Sequence, residues 1–153
     1  MPHLLPGTGG LLVGICVFLL VCLIAYCRST YPTFTFEPRG PGSLENRLKN
    51  HTRVAEVPFG LASGSLVLLA GSSILRSGGH LPWFYASPMV LLAVSVIYAV
   101  CFMGLLIYYY EAFLHHPESY TCLRYSAVQA LGFSALISFS LAYIWLAFTL
   151  SNK

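Results

Sequence analysis

The chain has 153 residues, of which 57% are hydrophobic and only 8% charged, against about 25% charged in an ordinary soluble domain. That composition excludes a water-soluble fold, and the length allows one domain over residues 1–153. A net charge of +3 on so few ionisable groups suits a cytosolic membrane face and leaves no footprint for nucleic acid.

Four apolar runs are candidates to cross a hydrocarbon core, which takes roughly 20 residues of helix. The first covers residues 11–27. No Lys or Arg precedes it and no A-x-A-like cleavage site follows it, so it reads as a retained helix and not as a signal peptide. Residues 28–43 carry three prolines and two glycines, which makes this stretch a loop.

Ser43 offers an N-cap oxygen, and the second helix is expected over residues 44–75, beginning in the cytosol and entering the bilayer near Val54. Pro58 would remove one backbone hydrogen bond and kink it. Gly60, Ser63, Gly64 and Ser65 are small residues at which neighbouring helices can approach closely, a pattern of helix packing and oligomerisation.

A tight turn is expected at 77–82, followed by Trp83, Phe84 and Tyr85 at the level of an interfacial aromatic belt. The third helix spans residues 83–110 and ends in Tyr108-Tyr109-Tyr110, which read as interfacial anchors. A loop with His115, His116 and Pro117 leads to the fourth helix, residues 123–150, which opens on Arg124. The runs are continuously apolar, with no alternation of the kind a β-barrel needs, so the expected fold is an all-α four-transmembrane-helix bundle.

Six basic residues, Arg28, Arg39, Arg47, Lys49, Arg53 and Arg124, fall on one side of such a bundle, and only Arg76 and Lys153 on the other. Positive-inside bias therefore places loop 28–43 in the cytosol and both termini in a lumen or outside. The sequon Asn50-His51-Thr52 would then be silent. The five cysteines sit in or beside apolar helices with no disulfide framework and no metal spacing, and the adjacent His115 and His116 have no acidic or Cys partner at ligand spacing. No metal site is expected.

The residues that could carry chemistry are Glu45, Lys49, Arg53 and Glu56. At about 100° per residue they fall at roughly 0°, 40°, 80° and 20° around one helix, a charged stripe descending toward the membrane. Glu45 and Lys49 also fit a solvated boundary face, and Arg53 with Glu56 also fits a structural ion pair. Even so, an ionisable residue at the start of an apolar span is a functional candidate. Arg124 reads either as a snorkelling arginine or as a second cation presented to a pocket shared with helix two.

The segment Leu44-Glu45-Asn46-Arg47-Leu48-Lys49-Asn50-His51-Thr52-Arg53-Val54-Ala55-Glu56 resembles the helix-two signature of the membrane-associated proteins in eicosanoid and glutathione metabolism (MAPEG). The layout is similar too, down to an arginine opening helix four in Leu123-Arg124-Tyr125-Ser126. The resemblance implies a trimer in the endoplasmic reticulum or another endomembrane, with glutathione as cofactor held by Lys49, His51, Arg53 and Glu56 between subunits. It also implies that Arg124 is catalytic, stabilising the thiolate, which is the nucleophile, for transferase or peroxidase chemistry on a lipophilic substrate. Lys49 and Arg53 stand where that family usually has Arg and Asn, and helix three lacks the arginine that many members place there. Those departures keep open the alternative of a non-enzymatic four-helix membrane protein, an assembly or trafficking factor or a subunit of a larger membrane complex.

Overall fold

The computed structural model describes residues 7–29, 43–71, 83–115 and 122–151. They form α1 (Thr8–Ser29), α2 (Ser43–Gly71), a short 3-10 turn (Trp83–Tyr85) that feeds α3 (Ala86–His115), and α4 (Cys122–Ser151). Of the expected loop 28–43, Arg28 and Ser29 instead close α1 and Ser43 opens α2; residues 30–42, helix-two residues 72–75, Arg76, the turn at 77–82, His116, Pro117 and Lys153 lie outside the described residues.

Three of the helices are long and apolar enough to cross a membrane, over Thr8–Cys27, Ala86–Ala112 and Leu123–Ser151. The chain is therefore a membrane protein, all-helical over the described residues. α2 is as long as α3 and α4 to within a residue, but it carries five charged residues among its first fourteen and does not belong to that set. Large apolar side chains face outward on α1, α2 and α4: Leu19, Leu23, Leu68 and Phe148 are more than half exposed. A soluble bundle would hide such side chains, whereas lipid is a matching solvent for them.

α3 and α4 form the centre. On α4, Ser126, Ala130, Ser134, Ser138 and Ala142 recur at every fourth position and all are buried. Residues four apart share one face of a helix, so this ladder of small side chains lets the backbone of α4 lie close to α3. Ser95 of α3 donates to the Ala135 carbonyl at 2.8 Å, and Ser134 donates back to Ala130 at 2.7 Å. In lipid such bonds have no competing water.

α1 and α2 flank this pair; each packs against α3 and α4, and among the described residues they do not pack against each other. α1 runs parallel to α3. Gly10 lies against Ser87, Gly14 against Val94, Phe18 stacks on Tyr98 with ring centroids 5.4 Å apart, and the Tyr98 hydroxyl donates to the Gly14 carbonyl at 3.1 Å. α2 runs the opposite way: Ala55 joins Phe102, Leu106 and Val128 in one cluster, and Ala62 joins Leu91, Leu92 and Ala142 in the next.

The close approach expected at the small residues of α2 occurs elsewhere within the protomer. A Cβ at Gly10 would overlap the Ser87 carbonyl and one at Gly14 would stand 2.8 Å from Val94 Cγ1, whereas among the described residues Gly60 and Gly64 have no atom within 4 Å of that position. Ser63 donates to the carbonyl of Phe59, one turn back, and Ser65 pairs with the hydroxyl of Tyr143 on α4. α2 continues as a helix through Pro58, which is buried.

Candidate functional site

A cavity of about 140 Å³ lies between α2, α3 and α4. α2 forms its wall because Ala55 and Pro58 are small or compact and face inward, leaving space beside Phe102 and Leu106 of α3. Gly132 of α4 contributes in the same way: a Cβ there would stand 3.0 Å from the Phe102 ring, so glycine lets that ring lie flat against the helix.

The lining is polarised along its length. His51, Tyr125 and Gln129 gather at one end, while Phe102, Phe133 and Leu136 line the rest. The Gln129 amide donates to the Tyr125 hydroxyl at 2.9 Å; the two residues are one turn apart on α4 and so share a face. From Tyr125 to Leu136 the helix rises about 16 Å. The arrangement is an apolar cavity with three hydrogen-bonding side chains toward one end. Chemically it can grip a polar head group and accommodate a hydrocarbon tail.

Of the residues singled out in the sequence, only His51 lines this cavity; it is half-buried. Lys49, Arg53 and Glu56 are exposed. They lie roughly 100–160° around α2 from Ala55, on the side turned away from α3 and α4. They share a face, and none makes an ion pair with another described residue. Arg124 is exposed and does not line the cavity; its guanidinium carbon stands 5.8 Å from the centroid of the Tyr109 ring, within the range of a cation–π contact. Within one protomer the structure thus separates His51 from the three charged residues, and holds Arg124 on an aromatic ring of α3.

Among the described residues no group of His, Cys, Asp and Glu could hold a metal ion, and Cys16, Cys22, Cys27 and Cys101 form no disulfide. Tyr125 and Gln129 are not among the candidates that the sequence singles out. A signal exists all the same, since Gln129 is the one side-chain amide in α4 and sits a turn from a tyrosine. No protein-family model, curated protein or solved structure matches the chain.

Proposed function

We propose that this is a four-span membrane protein that binds a single-chain lipophilic molecule with an uncharged head in the cavity between α2, α3 and α4. The observation that carries the reading is the polarity of that cavity: His51, Tyr125 and Gln129 at one end, hydrocarbon along the rest. The fourth span is α2. Its buried residues Ala55 and Ala62 sit level with the apolar parts of α3 and α4, and its outward Val57, Leu61, Val67 and Leu68 are exposed as lipid-facing side chains are. By the charge bias of the sequence, the polar head of the cavity lies toward the cytosolic leaflet, in an endomembrane if the MAPEG resemblance holds.

Size argues for a chain and against a fused ring system. An apolar cavity of about 150 Å³ holds one benzene, so about 140 Å³ takes a short stretch of acyl or isoprenoid tail with the remainder in lipid. Hydrophobic transfer contributes little here because the competing solvent is itself hydrocarbon. Selectivity then rests on packing and on the head-group hydrogen bonds, each worth about 1 kcal/mol in a membrane interior.

Photolabelling of the purified protein with a long-chain alcohol bearing a tail diazirine tests this. Adducts are expected on α2 and α4 peptides that contain Pro58 and Phe133, to be lost in Ala55→Phe, which fills the cavity, and weakened roughly fivefold in Gln129→Leu. Labelling that favours the lipid-facing Leu19 and Leu23 of α1, and ignores both substitutions, overturns the reading.

A second reading, glutathione-dependent chemistry, is favoured by one observation: Lys49, Arg53 and Glu56 share an outward face. An anionic peptide held there would need a neighbouring copy to close the site. Calorimetry with glutathione on the wild type and on Arg124→Ala tests it, and a well-folded wild type that releases no binding heat removes it.

A further inference from the structure

The cavity leaves unexplained the face of α2 that the sequence marks most strongly. Arg53, Glu56, Gly60, Gly64, Val67 and Gly71 follow one another at steps of three or four residues, and all are exposed. Such spacing is one straight stripe along a helix, here charged at one end and nearly smooth along the rest.

Depth makes the two charges informative. Glu56 follows Ala55, which packs with Phe102, Leu106 and Val128. Leu106 is six residues inside the apolar span of α3, which ends at Ala112, or about 9 Å along the helix. At that level α3 turns Ile107 outward. A charge facing lipid at this depth is costly and calls for a partner, and neither Arg53 nor Glu56 has one among the described residues.

The glycines point the same way. A Cβ at Gly60, Gly64 or Gly71 meets nothing within 4 Å among the described residues, so no contact with a described residue requires them to be glycine. Glycine weakens a helix relative to alanine. What it returns at a Gly-xxx-Gly spacing in an apolar helix is close approach of another backbone.

We propose that the outer face of α2 pairs with the same face of a second copy of this chain, the two helices parallel and related by a two-fold axis along the membrane normal, with Arg53 of each reaching Glu56 of the other. The stripe is complementary to itself in charge. Arg53 and Glu56 are one turn apart, about 4.5 Å in height, so a parallel pair sets each arginine within side-chain reach of the opposing carboxylate, while Lys49, a turn farther out, extends to water. Two copies inserted in the same orientation can meet only in the parallel sense. The inference rests on α2 lying in the bilayer, as proposed above, and not on the cavity being filled.

Subunit counting by single-molecule photobleaching of the full chain in dilute liposomes tests it. Two-step bleaching is expected for the wild type. The double variant Gly60→Leu, Gly64→Leu should weaken association at least tenfold, with helicity and thermal midpoint unchanged or raised because the protomer has room at both sites. Arg53→Glu should weaken association, and adding Glu56→Arg should restore it. One-step bleaching of the wild type, more than two steps, indifference to the glycine pair, or a reversed-charge variant no better than Arg53→Glu each overturns the proposal. Leu68→Cys in a chain with its native cysteines replaced separates two kinds of failure. A one-step wild type whose Leu68→Cys variant is protected from a water-soluble maleimide defeats the pairing alone; a one-step wild type whose Leu68→Cys variant reacts defeats the fourth span as well.

Discussion

α1 and α2 each carry two glycines four residues apart and each packs on the same central pair, yet the two motifs face opposite ways. Gly10 and Gly14 are buried against Ser87, Leu91 and Val94, whereas Gly60 and Gly64 are exposed with no described residue beside them. In α1 the motif is spent on holding the protomer together. In α2 it is left over, and the same four-residue spacing becomes a surface.

The contrast can be broken at several points. The largest effect is expected for Gly10→Leu, which places atoms on the Ser87 carbonyl. Backbone cannot yield as a side chain does, and the loss should reach about 3 kcal/mol, the upper part of the overpacking range, read by unfolding in mixed micelles. Gly14→Ala is milder, since its clash is with the Val94 methyl at 2.8 Å, and the same assay should show a loss of about 1.5 kcal/mol. Gly60→Ala should move the other way: in micelles diluted until the chain is monomeric, replacing an open glycine should add up to about 1 kcal/mol of helix stability. A loss there would mean that α2 has a contact inside the protomer. The smallest effect is Tyr98→Phe, which removes the 3.1 Å bond to the Gly14 carbonyl and should cost about 0.6 kcal/mol, the average for an interhelical hydrogen bond in a membrane.

The sequence makes the helices legible and their facing obscure. Length and continuous apolarity suffice to place α1, α3 and α4, with ends shifted by a few residues; α3, for instance, runs on to His115. The common face of Lys49, Arg53 and Glu56 follows from helical periodicity alone. Its direction does not, because that depends on Ala55 and Ala62 turning inward. In a soluble helix polarity separates inside from outside. In α1, α3 and α4 both sides are apolar, and only side-chain size reports the interior, as in the ladder Ser126, Ala130, Ser134, Ser138 and Ala142. Size is a faint signal in a single sequence. The polar head of the cavity is hidden for a related reason: His51 comes from α2 and Tyr125 with Gln129 from α4, and only tertiary packing brings them together.

The separation of α1 from α2 bears on how the chain is made. Membrane helices insert first and associate afterwards, and synthesis proceeds from the N-terminus. Since α1 and α2 touch only α3 and α4 among the described residues, a nascent chain halted after Gly71 holds two helices whose described residues share no interface. Their shared partner has yet to be translated. With α2 in the bilayer as proposed above, Glu56 and Arg53 pass that interval without the protomer's own fold around them, and the arrival of α3 is the step at which the first half of the chain gains a helix to pack on.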